Sequence, residues 1–164
     1  MNTNSLLFGH DDEMGQWILN KLPYIGRFGD HFRAIGVTRS KLIAAAAYHD
    51  YHPDCMTMQF TVASISPLWA HPETIHLLLK YPFEIANVHR LSTYVYFNNT
   101  KAVKLLKRLG FKQEAILDSL YGKNHHAYMF RLLRPEYAQR YYGDKNKFRA
   151  RDQVLPAPTA AMNK

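Results

Sequence analysis

The chain has 164 residues, 47% of them apolar and 13% aromatic, enough for one domain with a buried core. No run approaches the ~18 continuous apolar residues of a membrane span, and the opening MNTNSLLFGHDDE lacks the basic start of a secretion signal. The net charge of +8 favours acidic partners such as nucleic acid, an acidic protein face or cofactor phosphates, while the single cysteine, Cys55, excludes an internal disulfide and points to a reducing, cytoplasmic setting.

In chain order, Ser5–Gly9 is a short apolar run and a candidate first strand. Asp11, Asp12 and Glu13 then open a helix, where acids suit the positive end of its dipole. Met14, Trp17, Ile18 and Leu22 give that helix its apolar stripe, and Pro23 ends it. Residues 24–32 carry two glycines and read as a loop. Arg33–Thr38 and Leu42–Tyr48 read as two strands joined by a polar turn. Four consecutive alanines favour a helix by propensity, but the run is short and lies between turn signals. Small residues also suit a sheet centre crowded by a neighbour. His49–Asp54 is expected to be a loop. Its two histidines and two aspartates lack metal-ligand spacing. Cys55 is expected to be a buried or half-buried thiol.

Cys55–Ile65 reads as a long strand ended by Ser66 and Pro67. A helix starts at Pro72, buries Ile75, Leu78 and Leu79, and closes at Tyr81-Pro82-Phe83. The segment from Asn87 to Phe111 changes period from two to 3.6 at Thr100. The strand VHRLSTYVYF gives way to a helix with Ala102, Leu105, Leu106 and Leu109 on one face. Lys101, Lys104, Lys107 and Arg108 take the other face. Asn99 is placed to cap its start and Gly110 to end it. Two further strands are expected at 111–117 and 127–133. Residues 136–142 are expected to form one helical turn, and a basic, mobile tail is expected over 143–164.

The resulting order of strands and helices implies an α/β fold with a mixed sheet. The pattern Asn99, Ala102, Leu105, Leu106, Leu109-Gly110-Phe111 resembles the acyl-CoA-binding half of the GNAT acyltransferase superfamily. The resemblance spans roughly residues 5–140. It is strongest from Trp69 through Tyr81-Pro82-Phe83, His89-Arg90, Glu114 and Met129-Phe130 to Glu136, where it is similar to GNAT proteins of a type common in phages. It implies the GNAT fold over residues 1–142, a mixed central sheet with a splayed parallel strand pair flanked by helices.

The same resemblance implies an N-acetyltransferase with acetyl-CoA as co-substrate, moving an acetyl group directly to an amine, here taken to be on a protein. The cofactor wall it implies comprises Val62, Ala63 and Ser64 on the long strand, Trp69 and His71 in the loop that should hold pyrophosphate, and Asn99 with Ala102 on the following helix. That loop contains no glycine. The usual proton-donor positions hold Ala102 and Leu106, so Asn99 and Tyr94 are the catalytic candidates. Tyr96 and Tyr121 are alternative acids, and His52, His125 and His126 are candidate bases. The rival reading is a GNAT-fold binding module without transfer activity, such as a phage factor modulating a protein of its host, acting in the host cytoplasm. Nucleic-acid binding rests on charge alone, with no motif, and a homodimer is a further expectation. No metal and no membrane partner are expected.

Overall fold

We analysed a computed structural model of the chain; it describes residues 1–149. Seven strands form one sheet: β1 (Ser5–Leu7), β2 (Arg33–Thr38), β3 (Leu42–His52), β4 (Thr57–Ser64), β5 (Arg90–Tyr96), β6 (Lys112–Leu117) and β7 (Ala127–Leu133). Their spatial order is β1-β2-β3-β4-β5-β7-β6. Every neighbouring pair is antiparallel except β4 and β5. Four α-helices complete the fold: α1 (Asp11–Lys21), α2 (Pro72–Lys80), α3 (Thr100–Arg108) and α4 (Arg134–Tyr142).

Alternation along the strands sorts side chains onto two faces, each with its own apolar layer. On one face α1 lies over Ala34, Ala45, Ala47 and Ala63 through Met14 and Ile18. Gly36 belongs to the same floor: a Cβ there would come within 2.8 Å of Leu42 Cδ1 and 3.0 Å of Met14 Sδ. The alanine run is therefore a strand whose small residues admit a helix at close range. On the other face Ile35, Tyr48, Met58, Leu91, Val95 and Phe130 pack with apolar residues of α2, α3 and α4.

α3 follows its sequence signals. The Asn99 side chain accepts from the Ala102 N–H at 3.2 Å, and Gly110 takes φ +91°, a conformation that favours glycine. Four expectations need correcting. β3 continues through His49 to His52, where a loop was expected, with a register shift on the way. α2 does not close at Tyr81-Pro82-Phe83 but widens there into a π-helical turn over Tyr81–Ile85. This accommodates Pro82, which cannot donate to a regular helical ladder. Cys55 is exposed, because it lies in the turn between β3 and β4 rather than in the strand. The final helical turn is a nine-residue helix, α4, in which the Glu136 carboxylate accepts the Leu133 N–H at 3.0 Å.

α4 ends at Gly143, in the left-handed conformation. The chain does not leave the core at that point, since the Phe148 ring packs against Tyr137 and Tyr142. The rest of the expected tail, 150–164, lies outside the described residues. Glu84 anchors α4 by accepting hydrogen bonds from the Tyr137 and Tyr142 hydroxyls. No helix among the described residues is long and apolar enough to cross a membrane.

Replacing Ala47, fully buried under α1, by leucine should cost about 1–3 kcal/mol by overpacking. The measurement is the denaturant midpoint, and an unchanged midpoint would contradict the close helix–sheet contact. Burial pushes the Glu84 carboxyl up, but hydrogen bonds from Tyr137 and Tyr142 outweigh it and hold its pKa below the ordinary value. A depressed folded pKa contributes stability above the unfolded value and loses it as pH falls through the folded one. The Glu84→Gln variant should therefore lose less stability than the native chain on acidification, as thermal unfolding across that range would register.

Candidate active site

The parallel β4–β5 ladder contains three pairs, Thr57–Arg90, Met58–Leu91 and Gln59–Ser92. Beyond Gln59 and Ser92 the two strands part. β4 continues through Ser64 paired with β3, and β5 continues through Tyr96 paired with β7. Their facing edges then carry backbone donors and acceptors with no partner strand between them. Buried groups of this kind are almost always satisfied by something.

A cleft of about 770 Å³ fills this opening. Its strand walls are Phe60–Ser64 and Thr93–Tyr96. Trp69 and Ala70 of the 3₁₀ turn Pro67–Ala70 close one end, with Ile75 and Leu78 of α2 beneath. Asn99, Ala102, Leu105 and Leu106 present the apolar stripe and capped end of α3 to it. Lys21, Lys101 and Arg108 place three cationic side chains on its lining.

Of the residues singled out in the sequence, this cleft brings together Val62, Ala63, Ser64, Trp69, Tyr94, Asn99 and Ala102. His71 is not among its lining residues. It caps α2, its Nδ1 accepting the Glu73 N–H at 3.3 Å. With Pro72 lacking an N–H, the first turn of α2 has few donors left for an anion. The loop before it is covered by the N-terminal segment, where Asn4 Nδ2 donates to the Leu68 carbonyl at 2.9 Å and to Thr74 Oγ1 at 3.1 Å. The cations that do reach the cleft are Lys21, Lys101 and Arg108, whereas Lys104 and Lys107 of the same basic segment do not line it.

The other candidates cluster at one mouth of the cleft or lie away from it. Tyr24 stacks on Tyr96 at 5.9 Å and tilts against Tyr121 at 4.6 Å. The Tyr96 hydroxyl and His125 Nδ1 are 2.7 Å apart. Burial, with Tyr24 and Tyr94 nearby, pushes the Tyr121 phenol up to about 12, and burial with Tyr96 raises Tyr24. At neutral pH both hydroxyls are therefore protonated donors. His126 Nδ1 accepts the Ser119 N–H at 3.0 Å. His52 is exposed at the end of β3 and does not line the cleft. Among the described residues no set of three His, Cys, Asp or Glu side chains comes together as a metal site. A second cleft, of about 750 Å³, is lined by Tyr48, Met58 and Tyr81 together with the start of α1.

Sequence reasoning missed Thr61. It passed over the residue as one more β-branched position, yet Thr61 lines the cleft and bonds a buried histidine on β3. The available signal was alternation: Thr61 is two residues from Ala63 and so shares its face.

No protein-family model matches the chain. A Bacillus licheniformis protein named as an uncharacterized N-acetyltransferase is 36% identical over 69 residues, which are 40% of this chain and 39% of that protein. The match thus spans about two fifths of the relative's length. Among solved structures, the Vibrio cholerae spermidine N-acetyltransferase in complex with CoA and spermine superimposes with a TM-score of 0.68 at 17% identity, over 84% of this chain and 99% of that one. A dodecameric structure of the spermidine N-acetyltransferase from the same organism gives 0.68 at 17% identity, over 86% and 99% of the two chains. At these identities the likeness is one of architecture, and it agrees with the seven-stranded mixed sheet, its single parallel pair and the cleft between β4 and β5: the chain has the fold of the GNAT acyl-CoA N-acyltransferase superfamily.

Proposed function

We propose that this chain is an acetyl-CoA-dependent N-acetyltransferase that moves an acetyl group directly to an amine. The observation that carries the reading is the parting of β4 from β5 beyond Gln59 and Ser92. A strand edge with free backbone groups pairs naturally with a peptide-like chain, and the pantetheine arm of CoA is such a chain, with two amides. Val62, Ala63 and Ser64 supply the edge, Trp69 and Ala102 supply apolar walls, and Asn99 stands at the rim. The phosphates then fall to Lys101 and Arg108, and not to His71, whose Nδ1 already caps α2.

Acetyl-CoA brings an activated thioester, and the chain has four tasks around it. It must hold the two reactants together, which alone is worth several kcal/mol. A β4 backbone N–H polarises the carbonyl oxygen as charge develops there. Tyr94, on the cleft wall, returns a proton to the departing sulfur; no hydroxyl stands on α3 at Ala102 or Leu106 to do so. The amine must lose its proton before it attacks. The acceptor enters at the mouth formed by Tyr24, Tyr96 and Tyr121, whose ring faces and hydroxyl oxygens, as acceptors, suit a cationic amine. The carrier of that amine is proposed to be a protein, and a polyamine, as named for the structural neighbours, is the acceptor to set beside it.

Titration calorimetry with acetyl-CoA should give saturable binding, and no heat at high micromolar ligand would overturn the reading. Asn99→Ala removes a helix cap and should cost about 1 kcal/mol of stability. Asn99→Asp keeps the cap but loses the amide donor and adds negative charge. It should therefore weaken acetyl-CoA binding about tenfold at little cost in stability. Equal affinity for Asn99→Asp and the native chain would remove Asn99 from the site. Thiol release from acetyl-CoA with spermidine or a lysine peptide then identifies the acceptor class.

A further inference from the structure

Behind the β4 wall of the cleft lies a histidine that none of the roles above uses. His49, on β3, is 9% exposed and lies across the ladder from Gln59. Its Nε2 is 2.9 Å from Thr61 Oγ1, and its Nδ1 is 3.0 Å from Asp50 Oδ2. The Phe28 ring packs against it at 5.0 Å between centroids.

The contact between His49 and Asp50 requires a local departure from the strand. Consecutive residues of a regular strand point to opposite faces. Here the register shifts after His49, and Asp50 takes φ +50°, so the two side chains meet on one side. Left-handed backbone is costly for most residues, and aspartate tolerates it better than most. The bulge therefore aims a carboxylate at one particular ring nitrogen. A carboxylate only accepts, so the hydrogen on neutral His49 sits at Nδ1. Nε2 is left as an acceptor for the Thr61 hydroxyl, and Thr61 lines the cleft. A buried, oriented imidazole is thus hydrogen-bonded to the hydroxyl of a residue that lines the cleft.

We propose that Thr61 and His49 form the path by which the acceptor amine loses its proton, with Thr61 touching the amine and His49 acting through it as a positioning base. This rests on the acyltransferase reading. As the ammonium gives its proton to Thr61 Oγ1, the Thr61 hydroxyl proton passes to His49 Nε2. The neutral amine keeps its lone pair for attack, and the positive charge ends on an imidazolium beside the Asp50 carboxylate. The path resets when His49 Nε2 gives its proton back to Thr61 Oγ1 and the Thr61 hydroxyl releases one to solvent in the emptied cleft, which restores the Nδ1–H form held by Asp50. Burial lowers the proton affinity of His49, and Asp50 opposes this without cancelling it, so the ring is neutral and ready at pH 7. Of the groups packed against it, Asp50 on β3, Gln59 and Thr61 on β4 and Phe28 before β2, only Asp50 ionises.

The test combines nitrogen-15 NMR of the histidine side chains with kinetics on the full chain, using acetyl-CoA and spermidine as probes. At pH 7 His49 should carry its hydrogen on Nδ1 with Nε2 bare. Thr61→Val, which keeps shape and removes the hydroxyl, should lower kcat by roughly 10²-fold. It should leave the KM for acetyl-CoA unchanged and abolish the acid limb of the pH profile that His49 sets. Asp50→Asn removes the charge favouring the imidazolium, so the acid limb should move to lower pH. A Thr61→Val enzyme with native kcat and an unaltered acid limb would overturn the path and leave the acetyltransferase standing. Protonation of Nε2 at pH 7 would overturn it even if spermidine proved idle as acceptor. A native chain that binds no acetyl-CoA would instead defeat the acyltransferase reading on which the path depends.

Discussion

Everything distinctive in this fold follows from a parallel ladder that stops after three pairs. β4 and β5 share backbone hydrogen bonds from Thr57 to Gln59 and then part. A sheet that had zipped along its full length would satisfy its own edges and leave no cleft. Each strand is instead held by its antiparallel partner, β4 by β3 and β5 by β7, through seven residue pairs apiece. The opening is thus bounded on both sides by paired strands. α3 follows directly from β5, which explains why the strand-to-helix junction at Asn99 faces the gap.

Local signals made much of this legible. Asn99 and Gly110 bracket α3 by cap chemistry that acts within a few residues, and the switch of apolar period at Thr100 marks the junction. What escaped the sequence depended on contacts between distant segments. The extension of β3 to His52 is hidden by residues that read as a turn, because its pairing with Thr57 only exists once β4 returns beside it. The π-turn at Tyr81–Ile85 depends on how Pro82 is packed. His71 resembled a phosphate ligand, but its position one residue before Pro72 committed it to capping.

Arg90, Glu114 and Glu136 carried part of the family resemblance and turn out to form a network away from the cleft. Arg90 pairs with Glu114, Arg131 reaches both Glu114 and Glu136, and Lys112 joins Glu136 at 2.9 Å. This ties β5, β7 and β6 to the start of α4. Linked, partly buried pairs lose less side-chain freedom per contact than isolated surface ones, which contribute little. A sequence pattern can therefore identify a fold through residues that hold its edge strands together. The residues facing the proposed chemistry, Thr61 and Tyr94, are common types with no signature of their own.

The two apolar layers on opposite faces of the sheet share no side chains. The α1 layer is built on alanine and glycine, and from it hangs the loop that carries Tyr24 and Phe28. The layer under α2, α3 and α4 is built on large residues and supports the capped end of α3. Changes on one side need not be transmitted to the other except through β4 and β5. The loop around Tyr24 could then change while the opposite wall stayed as it was. The alanine floor itself is fixed by its close contact with α1, so any such change is confined to the loop above it.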